Sequence, residues 1–133
     1  MMQRLPDWEN RLSDTLADWS TRTFRWDADC ARYLAAIVIA ITGHDPIADL
    51  RGQYRTKREA LKLLAEKPME KRLDERFPRI PIAFAQRGDI ALTHEIALGC
   101  ILGSEAQCFV GNGRMGLVAR PDWLGTWAVG HNG

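Results

Sequence analysis

The sequence predicts a single α+β domain, with helices in its first half and an antiparallel sheet in its second. Three observations carry this expectation. Apolar residues recur at helical spacing up to about residue 76, then give way from about residue 88 to short runs broken by Gly and Pro. The stretch YLAAIVIAI is apolar on nearly every face, as in a central helix covered on several sides. A chain of 133 residues, 46% apolar and 26% charged, can bury one core and is short for two. One domain is therefore expected over 1–133, with a helical part at about 6–76 and a sheet part at about 88–130.

Trp8, Leu12, Leu16 and Trp19 follow at steps of four, four and three after LPDW, where Pro6 and Asp7 suit a helix start. After the polar connection STRTFRWD, Asp27 or Asp29 can cap a second helix that runs to Thr42, where Gly43 ends it. Thr56 and Glu59 form a capping box ahead of ALKLLA, giving a third helix that stops before Pro68. A short fourth helix is expected at about Met69 to Arg76. Beyond Pro78 and Pro81, the runs DIAL, IALGCIL, QCFV, MGLVA and TWAV read as an antiparallel meander. That sheet must bury one face on the Tyr33 to Thr42 helix.

Composition excludes several classes. A formal charge of +1 argues against a general nucleic-acid binder. Charge is uneven, however: residues 51–79 hold ten Lys/Arg against five Asp/Glu, and residues 1–50 hold five against eight. A solvated helical face or contact with an acidic partner explains such a bias. The longest uncharged stretch, Tyr33 to Gly43, has about half the length needed to cross a bilayer, and no basic-then-apolar leader opens the chain, so a soluble, unexported protein is expected. Cys30, Cys100 and Cys108 cannot pair completely and match neither a zinc knuckle nor a CxxC motif. Reduced thiols, no metal and no cofactor are expected.

Cys30 stands at the first turn of the apolar helix, where unpaired N–H groups and the positive end of the dipole stabilise a thiolate. It is either a nucleophile or a small buried thiol packed between helix and sheet. The nucleophile needs a base, usually a histidine within hydrogen-bond reach and oriented by a third polar group. The letters RGD at 87–89 read as a Gly-Asp turn at a strand entrance. GNGRMG lacks the Lys-Ser/Thr ending of a phosphate loop and reads as a hairpin.

The succession FRWDADCARYLAAIVIAITG and, later, AQRGDIAL and IALGCILG resembles the NlpC-type, papain-like cell-wall cysteine peptidases over roughly residues 20–112. In that superfamily Asp-Cys opens a central helix, a Pro-Gly-Asp turn opens the sheet, and a strand beginning with histidine supplies the base. Nearly the whole chain is also similar to short phage and prophage proteins of tail gene clusters. Those share LPDW, an F.W…DC segment, TG.DP with a tyrosine after it, RGD, ALG and a terminal tryptophan strand. Here the residues are Trp8, Phe24, Trp26, Asp29, Cys30, Gly43, Asp45, Pro46, Tyr54, Gly88, Asp89, Ala97, Leu98, Gly99 and Trp127. The resemblance implies a papain-like α+β fold with Cys30 as the nucleophile. It places the base at Ala97, which cannot accept a proton, and the orienting residue near Val110 or Gly111, which offer no side-chain acceptor.

His94 lies three residues before Ala97, an odd offset that flips a strand side chain and displaces it by about 10 Å, unless the register shifts or a bulge intervenes. His44 lies about 20 Å from Cys30 at the far end of the helix, and His131 lies in a terminal GHNG tail. A thiol without a base loses roughly a hundred- to ten-thousandfold in rate, so turnover is not expected. By resemblance, the chain is expected to be a structural or assembly component of a phage or prophage tail tip. It would be made in the host cytoplasm and carried at the tail tip, bound to the distal tail ring and central hub proteins. Trp8 and Trp19 lie on the core stripe, whereas Trp123 in RPDWLG, with Arg120, is the expected interface anchor. The alternative is an active peptidoglycan endopeptidase with Cys30 as nucleophile and His94 as base; a cysteine acyltransferase or amidase of the same fold is a third possibility.

Overall fold

The computed structural model describes residues 3–25, 29–93 and 97–130, which form four α-helices followed by a six-stranded antiparallel sheet. Helix α1 (Trp8–Ser20) turns Leu12, Leu16 and Trp19 inward, the stripe that the four-four-three spacing predicts. Helix α2 (Cys30–Thr42) starts at Asp29, whose carboxylate accepts the Arg32 N–H at 3.0 Å. It stops at Gly43, whose φ of 80° lies in the left-handed region that glycine enters without a steric penalty. Eight of the thirteen α2 residues are buried, because α1 covers one side and the sheet another. The Arg11 guanidinium ties the two helices by donating to the Ala40 carbonyl at 2.7 Å.

Helix α3 (Lys57–Glu66) is capped by Thr56, whose hydroxyl accepts the Glu59 N–H at 3.2 Å. Glu59 reaches back to the N–H of Arg55, so the expected box closes one residue earlier than its usual form. Helix α4 (Met69–Arg76) turns Leu73 into the core. The strands are β1 (Arg79–Ile80), β2 (Ile90–Thr93), β3 (Leu98–Ile101), β4 (Glu105–Phe109), β5 (Met115–Ala119) and β6 (Trp123–Trp127), in spatial order β1-β6-β2-β3-β4-β5.

The expected meander holds from β2 to β5 and then breaks. Strand β6 returns to the free edge of β2, pairing Ile90 with Trp127 and Ala91 with Thr126. All four β2 residues are buried, and such a strand needs a neighbour on both edges to satisfy its backbone. The two-residue β1, absent from the sequence-based expectation because prolines flank it, lies along β6. A register shift at Leu92/Thr93 lets Trp127 and Trp123, four residues apart, serve opposite faces of the sheet. Trp127 joins the main core with α1 and α2, and Trp123 joins a second cluster with Ala91, Ile101 and Cys108. Across the main core Trp19, Tyr33 and Phe109 pack ring on ring, with centroids 5.4 to 6.2 Å apart.

Candidate functional site

At the N-terminal end of α2 the fold leaves an apolar groove of about 490 Å³. Its floor is Cys30, Ala31 and Leu34 of α2, with Ala97 and Leu98 at the start of β3. One wall is Phe24, Phe109 and Val110. Phe24 is held there because its N–H donates to the Gly113 carbonyl in the β4–β5 hairpin. The opposite wall is Leu61 and Leu64 of α3 with Met69 and Leu73 of α4. The volume lies within the range of small-molecule and peptide sites, and the lining is apolar, as such sites are.

Cys30 is partly buried on this floor. Apolar surroundings push its thiol from 9.0 up to about 11; a backbone hydrogen bond from Leu98 opposes that rise, and the neighbouring Asp29 carboxylate adds to it. The helix end expected to activate the sulfur is worth typically about 0.3–1 kcal/mol and up to about 2 kcal/mol at a partly buried group, and burial of the thiol acts in the opposite direction. Cys100, sealed in the core, is pushed up to about 12 by burial.

Both oxygens of the Asp29 carboxylate are engaged. Oδ1 accepts the Arg32 N–H, and Oδ2 accepts the Tyr54 hydroxyl at 2.5 Å. Arg32 closes the cluster by donating to the Tyr54 carbonyl at 3.0 Å and by stacking its guanidinium 4.6 Å from the Tyr54 ring. Burial, then the hydrogen bond to Asp29, raises the Tyr54 hydroxyl well above its ordinary range, so it stays a donor.

The positions singled out in the sequence come together in part. Cys30, Ala97, Val110 and Gly111 line the same groove, and the last three carry no proton-accepting side chain. His94, Trp26 and His131 lie outside the described residues. His44 is exposed just beyond the other end of α2. Among the described residues no group of three His, Cys, Asp or Glu is placed to hold a metal ion. Among the described residues no helix is long and apolar enough to cross a membrane.

Trp123 and Arg120, expected at an interface, are both engaged within the chain. Trp123 is 4% exposed, and its indole N–H donates to the Val118 carbonyl at 3.0 Å. Arg120 stacks on that ring and donates to the carbonyls of Ile82 and Gly103, bracing the loop. The RPDWLG stretch is a 3-10 turn leading into β6 rather than an open loop, which draws both side chains inward. Among the described residues the exposed large apolar side chains are Leu61, Phe84, Leu117 and Leu124. The RGD aspartate is structural: Asp89 is fully buried and accepts the N–H groups of Val129 and Gln86 and the Arg4 guanidinium. Sequence reasoning missed the leucine wall of α3 and α4. Its signal was present in the Leu61 and Leu64 spacing, which lacks any buried partner visible from sequence.

Fold and groove together define a small α+β domain with an apolar cleft at its helix–sheet junction. Residues 3–129 match the family described as Domain of unknown function (DUF6950), and the chain belongs to that family. No curated protein matches it.

Proposed function

We propose that this chain is a non-catalytic binding component of a phage or prophage tail tip, on a papain-like scaffold that has lost its base. What supports the non-catalytic reading is the groove floor. The Cys30 thiol is held neutral, beside an alanine and a glycine at the positions where a peptidase of this kind carries its base and orienting residue. The tail assignment rests on the resemblance of the LPDW, DC, RGD and ALG pattern to tail-cluster proteins. The partners are then the distal tail ring and central hub proteins, met in the host cytoplasm during assembly and kept at the tail tip.

The test is co-expression with the neighbouring tail-cluster gene products, followed by size-exclusion chromatography. A stable complex that survives Cys30→Ser is expected. Release of stem peptides from peptidoglycan by the purified chain, abolished by Cys30→Ser, would restore the endopeptidase and overturn the scaffold reading.

A further inference from the structure

We propose that the α3–α4 groove is the docking site for an acidic amphipathic segment of a partner protein, which seats apolar side chains against Leu61, Leu64, Met69 and Leu73. The inference rests on the binding-scaffold reading and names the surface and the chemistry of the partner.

The argument begins with α3. Of its ten residues only Ala60 is buried, although Leu61, Leu63 and Leu64 all line the groove. Leu61 is 51% exposed. Among the described residues the leucines of this helix border an open cleft, an amphipathic face that a partner would cover. A cleft of about 490 Å³ accommodates several aliphatic side chains, and amphipathic segments bind such grooves through anchors at i, i+3, i+4 and i+7.

Charge selects the partner. Lys57, Arg58, Lys62 and Lys71 are exposed on the same two helices and have no carboxylate in ion-pair range among the described residues. The acidic residues of α4 are already engaged, Glu75 with Lys67 and both Glu70 and Asp74 with Arg79, and on α3 Glu59 is taken up in the helix cap, which leaves Glu66 as the acid against these four cations. The cations are spread along α3, about 15 Å long at 1.5 Å per residue, and onto α4. Distributed cations match the several carboxylates of a polypeptide better than the single head group of a fatty acid. Inside the groove no guanidinium offers a free fork for such a head. Arg72 donates to the carbonyls of Lys67 and Leu63, and Arg76 donates to the carbonyls of Pro46 and Arg72 and to Asp49.

The probe is a pair of fluorescein-labelled helical peptides of about sixteen residues with one leucine stripe, the remaining positions Glu in one and Lys in the other. Anisotropy titration is expected to show the Glu peptide binding at least ~10-fold more tightly than the Lys peptide, with the preference shrinking as salt rises. Leu61→Glu and Leu64→Glu should each weaken the Glu peptide at least ~10-fold, while Leu61→Met retains binding. Circular dichroism checks that the variants fold. Equal affinity for both peptides, no saturable binding, or Glu-peptide affinity untouched by the two Glu variants would overturn the proposal. So would preferential sedimentation with phosphatidylglycerol vesicles, displacement of the peptide by palmitate, or a dimer by light scattering that Leu61→Glu dissolves. The two readings fail separately. A tail-protein complex that is insensitive to Leu61→Glu sinks the groove and spares the tail-tip role, whereas peptide binding without any tail-protein complex does the reverse.

Discussion

Asp29 shows how much one side chain can organise. With two oxygens it caps α2 through Arg32, holds the Tyr54 hydroxyl and adds to the field that keeps the adjacent thiol protonated. Tyr54→Phe removes a hydrogen bond to a buried carboxylate and is expected to cost about 1.5 kcal/mol in urea unfolding, with α2 intact. An unchanged midpoint would mean that the contact contributes nothing. The position of Cys30 at a helix start was legible in the sequence, because Asp-Cys before an apolar run is a local signal. Its chemical state was not. The apolar groove that raises the thiol is built by α3, α4, Phe24 and Phe109, dozens of residues away along the chain in most cases. The burial of Trp123 was hidden for a related reason, since a tryptophan after Pro-Asp reads as a loop until the strand it enters is known.

The helices were legible as elements because their signals are local. Asp29, Thr56 and Gly43 stand where caps were expected, and α1 buries Leu12, Leu16 and Trp19 of the predicted stripe, with Trp8 half-buried at its start. Gly43→Ala places a Cβ in the left-handed region with only Leu5 Cδ1, 3.7 Å away, as a neighbour, so backbone strain is the main cost. A loss of about 1 kcal/mol is expected by thermal unfolding, without loss of the fold. The sheet was legible as strands and not as an order. Runs of apolar residues reveal pairing partners only when a short turn joins them, and β6 reaches β2 across the whole meander. Strand β1 was hidden because two prolines bracket a pair of residues that would otherwise read as a break.

At the scale of the molecule, the chain ends are joined through one buried ion pair. Arg4 donates to Asp89 at 3.0 Å and to the carbonyls of Val129 and Arg87, while Asp89 also accepts the Val129 N–H. Asp89→Asn leaves Arg4, largely buried, without its counter-charge and should destabilise the whole domain by about 3 kcal/mol in denaturant. A loss confined to the N-terminal segment, seen as local hydrogen exchange with an unchanged global midpoint, would show that the clamp is peripheral. The same burial takes the Asp89 carboxylate of RGD off the surface. Among the described residues an apolar groove lies beside α3 and α4, the surface on which the docking proposal stands.

The most direct measurement is the rate of Cys30 alkylation by iodoacetamide against pH, read peptide by peptide by mass spectrometry on the folded protein. The groove keeps the thiol protonated, so the rate should stay low through neutral pH and rise with a midpoint near 11. The associated contribution to stability has a matching sign. The neutral thiol is the favoured folded form, so this contribution is complete below 9.0 and is lost as pH rises toward 11. A reaction already at its plateau below about pH 7 would reveal an activated thiolate with a proton acceptor beside it, and would contradict the non-catalytic account.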